Sequence, residues 1–131
     1  MKGFGLKRGA FASSIAHDSH NILVVGVDET DMLCAVQRIV EMQGGLCVCS
    51  GGQCLESLAL PIAGLMSEEP MKQVRDKLNA LNTAAKQLGI RINDPFMAAS
   101  FLALPVIPKL KLTDKGLVDV EGFKFVDLFS D

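Results

Sequence analysis

At 131 residues, with 49% hydrophobic side chains and a formal net charge of -2, the chain has the length of one domain that buries about two thirds of the surface it exposes when unfolded. Thirteen basic and fifteen acidic residues are interspersed, which leaves no basic footprint for nucleic acid and none for an anionic membrane. Seven Phe with no Trp and no Tyr call for an aliphatic, Met-filled interior and argue against a base-stacking platform.

Cys34, Cys47, Cys49 and Cys54 occur without a secretory leader, since Met1-Lys2-Gly3-Phe4 runs into Lys7-Arg8 with no long apolar segment. A reducing cytoplasm is the expected setting. The longest apolar run, 96–107, is interrupted by Pro105 and falls short of the roughly 20 residues that span a bilayer.

Along the chain, residues 3–16 carry three glycines and then Ala and Ser, a composition suited to an edge strand or an extended entry segment. Residues 22–27 form the firmest predicted strand, buried by its apolar run. Asp28 offers an N-cap with Asp31 three residues on, and Met32, Val36, Ile39, Val40 and Met42 follow near helical spacing until Gly44-Gly45. A strand over 46–50, a turn at Ser50-Gly51-Gly52-Gln53 and a returning antiparallel strand over 54–60 come next.

After a loop over 61–66, Ser67 is expected to cap a helix with Glu68 and Glu69 at its positive end and Pro70 inside the first turn. Met71, Val74, Leu78, Leu81, Ala85 and Leu88 then recur by three and four, and Gly89 ends the run. Asn93-Asp94-Pro95 starts a short helix extending towards Leu104, and Pro105 and Pro108 forbid its continuation. Segments 109–112, 117–120 and 123–129 read as strands joined by turns. These elements predict a single α+β domain, a mixed sheet with about three helices packed on it.

The polar knot His17-Asp18-Ser19-His20-Asn21 stands directly before the apolar run that opens the second strand. Polar groups at the edge of a core need partners, so the knot is either a satisfied turn or a site of the kind that strand-end loops supply. His17 and His20 sit three apart, a spacing that converges on a helix or tight turn but diverges on a strand. With Asp18 they give at most three metal donors, and a neutral histidine paired with a carboxylate accounts for the same residues without metal.

Cys47-x-Cys49 with Cys54 lacks the CxxC spacing of a thiolate metal site and reads as buried core thiols. Gly3, Gly5 and Gly9 have no preceding strand, which removes dinucleotide and phosphate-loop readings. Lys7-Arg8 is a solvated pair or an anion contact. Ser19 between Asp18 and His20 is a neighbourhood in sequence and does not define a triad.

Several uninterrupted stretches carry a resemblance over nearly the whole chain: KGFGLKRGAFASSIAHDSHN at 2–21, LPIAGLMS at 60–67, DPF at 94–96, LALPVIPKLKLTDKGLVDV at 102–120 and FKFVDLF at 123–129. Together they resemble the C-terminal domain of bacterial adenine deaminases, members of the amidohydrolase superfamily. The resemblance implies a parent reaction in which metal-activated water converts adenine to hypoxanthine and ammonia, within purine salvage. It also implies an upstream barrel that holds the divalent metal, manganese, iron or zinc. On this expectation the chain begins after that barrel, holds no metal itself, and does not deaminate adenine alone.

The matched polar positions are Arg8, Ser14, His17, Asp18, Ser19, His20 and Asn21, expected to close or polarise the adenine site from the mouth of the barrel. The cysteines at 47, 49 and 54 depart from the aliphatic or polar residues expected there. Two rival readings remain open: a freestanding ligand-binding or protein-interaction domain, and an independent metallohydrolase using His17, Asp18 and His20. Expected partners are the barrel, covalently upstream or separate, adenine as the parent's substrate, and a further copy of the chain through an open sheet edge.

Overall fold

A computed structural model describes residues 3–129; the Met1-Lys2 part of the leader reading and of the first matched stretch lies outside the described residues. The elements in chain order are β1 (Ala10–Ser13), β2 (Leu23–Gly26), α1 (Glu29–Glu41), β3 (Gly45–Ser50), β4 (Gln53–Ala59), α2 (Met71–Gln87), α3 (Pro95–Ser100), β5 (Leu110–Thr113), β6 (Gly116–Asp119) and β7 (Lys124–Val126). The α+β class and the three helices are as the sequence predicts. Pairing is antiparallel throughout the described residues and splits into two sheets, β2-β1-β3-β4 and β5-β6-β7, in place of the expected mixed sheet.

β1 is an interior strand of the larger sheet, not the expected edge, and all four of its residues are buried. Its side chains alternate between two cores. Phe11 points to the face covered by α2 and α3, where it joins Leu46, Val48, Leu81, Leu88 and Phe96. Ala10 and Ala12 point to the face covered by α1 and meet Ala35, Ile39, Cys47 and Cys49. A strand covered on both faces must be apolar at successive positions, and the small Ala side chains let α1 sit close. The expected firmest strand, β2, is instead the half-buried edge.

Local rules set the helix starts. Asp28 caps α1 by accepting from the Asp31 amide at 2.9 Å, and Asp94 caps α3 by accepting from the Met97 amide at 3.2 Å. Asp31 is buried and its Oδ1 accepts from the Gly52 amide at 2.7 Å, which ties α1 to the turn between β3 and β4. The buried stripe of α1 runs through Asp31, Ala35 and Ile39, leaving Val40 exposed.

Ser67 does not cap α2. Its hydroxyl accepts from the Glu69 amide in a local turn, Pro70 occupies the cap position, and Glu69 pairs with Lys77 across the first turns of the helix. With no amide on Pro70 and the turn closed on Glu69, the helix starts at Met71. The expected extension of α3 to Leu104 also stops short at Ser100, where the chain passes into turns ahead of Pro105.

Gly9 explains the glycine before β1. Its φ of +74° and a Cβ position only 2.6 Å from the Cys49 carbonyl oxygen leave room for no side chain. Among the described residues, no helix is long and apolar enough to cross a membrane.

Candidate functional site

The knot forms the connection that leaves β1, turns and returns as β2, so the antiparallel register of these two strands sets its position. Backbone hydrogen bonds hold both ends of the turn: the His17 amide donates to the Ser100 carbonyl at 2.9 Å and the His20 amide to the Ala16 carbonyl at 2.6 Å. The first bond anchors the knot to the end of α3.

Aromatic contacts then fix the imidazoles. His17 stacks on Phe101 with ring centroids 5.0 Å apart and planes 27° apart, and His20 meets His17 edge-on at 5.7 Å. Asn21 donates to the Ser19 hydroxyl at 3.2 Å, while Asp18 and Ser19 are exposed. His20 adopts a φ of +49°, and its Nδ1 is buried with no hydrogen-bond partner among the described residues. A buried imidazole nitrogen without a partner is costly. The turn reading therefore accounts for the backbone of the knot but leaves one ring unsatisfied.

Ser14 and Arg8 do not join this cluster. Ser14 is buried; its hydroxyl accepts from the Gly45 amide at 2.8 Å and donates to the Gly64 carbonyl, tying the end of β1 to β3 and to the loop after β4. Arg8 is exposed and precedes β1, whereas the knot follows it. The strand separates them.

Two grooves border the knot. One, of about 610 Å³, joins Asp18 and Ser19 to Pro105, Val118, Phe123 and Phe125. The other, of about 340 Å³, lies between Asn21 to Val24 and the turn at Thr113-Asp114. The small sheet thus shares one face of the molecule with the knot. Phe123 is 91% exposed and Phe125 62%, with Leu110 and Leu112 also exposed. Polar side chains rimmed by exposed apolar ones form a surface suited to meeting another protein surface around a polar centre.

Phe101, Phe123 and Phe125 were not singled out in the sequence. The signal available was Phe123-Lys124-Phe125, two large apolar side chains within three residues; Phe125 lies in β7 and Phe123 in the turn just before it, with a φ of +49°. A resident metal does not fit the knot: among the described residues, no group of three or more His, Cys, Asp or Glu side chains is gathered to hold one. The independent metallohydrolase reading loses its donor set.

Comparison with known proteins extends this picture to the whole chain. Residues 1–124 match the family described as the adenine deaminase C-terminal domain. The adenine deaminase of Desulfatibacillum aliphaticivorans is 61% identical over 129 residues, which cover 98% of this chain and 23% of that protein. The adenine deaminase of Archaeoglobus fulgidus is 53% identical over 131 residues, covering 100% of this chain and 23% of that protein, and the one from Methylobacterium nodulans is 54% identical over 126 residues, covering 96% and 22%. The chain therefore spans less than a quarter of the length of these relatives.

Proposed function

The chain belongs to the adenine deaminase C-terminal domain family, and from that premise we propose that it works as the C-terminal part of a cytoplasmic enzyme that hydrolyses adenine to hypoxanthine and ammonia in purine salvage. The chemistry belongs to an upstream barrel that holds a divalent metal. This domain seats on the mouth of that barrel through the face shared by the knot and the small sheet.

Within that assembly the knot supplies polar contacts and excludes water. The exposed Asp18 and Ser19 are placed to reach across the junction, while His17, stacked on Phe101, and His20 form the wall behind them. Closing polar groups into a site from which water is excluded strengthens their hydrogen bonds to a bound purine and to one another. Ser14 ties down the end of the strand that leads into the knot, and Arg8 stands exposed before that strand.

One observation carries the reading: His20 Nδ1 is buried beside exposed polar groups without a hydrogen-bond partner among the described residues. Such a nitrogen is satisfied once a donor or acceptor from a covering surface or ligand arrives. The test uses the complete enzyme with His17→Ala and His20→Ala. Loss of adenine turnover of about tenfold or more, with metal content unchanged, is expected for groups that shape the site without holding the metal. Unchanged turnover in both variants would remove the knot from the reaction.

A further inference from the structure

The cysteines on the opposite side of the molecule form a second chemical centre. Cys49 and Cys54 are Cα partners across β3 and β4, one pair in from the Gly51-Gly52 turn, whose φ values are +64° and +72°, and the register of the two strands shifts between Val48 and Cys49, on the far side of this pair from the turn. Directly opposed antiparallel residues hold their Cα atoms about 4.5–5.5 Å apart, inside the range of about 4.4–6.8 Å that a disulfide bridges. Side chains of opposed residues also share a face.

Cys34 packs against Cys47 and Cys49 and lines one groove with Cys54, whose thiol donates to the Glu56 carbonyl at 3.4 Å. All four are free; Cys49 is buried, and Cys54 is exposed where buried core thiols were expected. Cys54 opens on a groove of about 500 Å³ between α1 and β4, lined also by Cys34, Arg38, Glu41, Glu56 and Ser57. Arg38 spans that groove, donating to Ser57 and pairing with Glu41, each at 3.3 Å, and its buried Nε has no partner among the described residues.

We propose that Cys54 and Cys49 are a thiol modification site that reacts with a low-molecular-weight disulfide and closes into a hairpin disulfide. Arg38 favours the Cys54 thiolate, while Glu41, which it pairs with, and Glu56 line the same groove. Cys54 loses its proton to solvent and attacks one sulfur of the small disulfide, forming a mixed disulfide and releasing one small thiolate. Cys49 then attacks the Cys54 sulfur, and the second small thiolate leaves, taking up the proton that the buried Cys49 gives up. Two cysteine thiols and one small disulfide become one cystine and two small thiols. The small disulfide is the oxidant.

Desolvation of its sulfur against the floor of the groove pushes the Cys54 thiol up to about 11, with Cys49 adding to the rise and Arg38 opposing it, so the first attack accelerates as pH rises towards that value, and Cys47 together with burial pushes the Cys49 thiol up further, which makes the closing attack the slower step. The reduced, folded chain incubated with oxidised glutathione at a pH of about 9, near the ordinary thiol value, tests the site by intact mass and peptide mapping. The expected product has lost two hydrogens and carries a Cys49–Cys54 link. Cys49→Ser is expected to retain one glutathionyl group on Cys54, and Cys54→Ser to stay reduced over the same period. Should the buried Cys49→Ser variant fail to fold, the wild-type map and the exposed Cys54→Ser variant decide. A link through Cys34 or Cys47, a disulfide between chains, oxidation of Cys54→Ser at the wild-type rate, or no loss of thiols would each overturn the proposal.

Discussion

The two sheets of this domain draw on similarly apolar strands and treat them in opposite ways. In the larger sheet, β1 and most of β3 are buried, with α1 on one face and α2 with α3 on the other. In the smaller sheet, Leu110, Leu112, Phe123 and Phe125 stand in solvent. A two- or three-stranded sheet gains independent stability by laying an apolar face against something. The first sheet has found its cover within the chain. On our reading the second finds it in the catalytic part of the longer protein, with the knot lying where the two meet.

This contrast predicts unequal responses to substitution, and Phe11→Ala should give the largest. Phe11 is buried between Phe4 and Phe96, with ring centroids at 5.5 and 5.4 Å. Its removal should cost about 3–5 kcal/mol in the unfolding free energy of the chain, measured by denaturant titration. A loss below about 1 kcal/mol would show that the larger sheet is not the stabilising unit.

Ser14→Ala should follow, at about 1–3 kcal/mol in the same titration, because it leaves the buried Gly45 amide without its side-chain acceptor. Its effect should fall on stability and leave the knot in place. Knot amides that lose protection in this variant would instead join Ser14 to the site.

A gentler contribution should come from alkaline pH. Burial raises Cys34 from 9.0 to about 11, and Cys54 likewise from 9.0 to about 11. The unfolded chain therefore releases these protons first, and the stability they confer, complete below pH 9.0, is lost as pH rises towards about 11. Unfolding midpoints recorded through that window should fall, and Cys34→Ala combined with Cys54→Ala should lessen the decline, the remainder belonging to the buried Cys49 thiol, which is pushed up further.

Smallest of all should be Phe123→Ser, within about 0.5 kcal/mol for the chain alone, since its ring is 91% exposed. In the complete enzyme the same change should lower stability by more, and that difference between the two settings is the sharpest form of the contrast.

How far the fold was legible in the sequence divides along the same line between local and distant causes. The caps at Asp28 and Asp94, the Gly51-Gly52 turn and the apolar period of α2 are set by neighbouring residues, and each was visible. β1 was read as an edge strand or entry segment because Ala10, Phe11, Ala12 and Ser13 lack the continuous large apolar run of a buried strand; their interior place comes from β2 and β3 on either side and from α1 and α2, all later in the chain. Ser67 had the right chemistry for a cap, but its turn with Glu69 and the missing amide of Pro70 diverted it.

The knot itself stood out as a cluster of polar residues. Phe101, Phe123 and Phe125 did not, since only the turn of the chain after α3 and the pairing of β6 with β7 bring their segments to it. Arg8 and Ser14 were grouped with the knot by proximity in sequence, and the length of β1 parts them from it.

Amide hydrogen exchange, compared between the chain alone and the complete enzyme, tests the central claim most directly. The account predicts added protection in the complete enzyme over residues 17–21 and over β5 to β7, with the amides of β1 and β3 equally protected in both. Equal exchange of the knot and the small sheet in the two settings would contradict it.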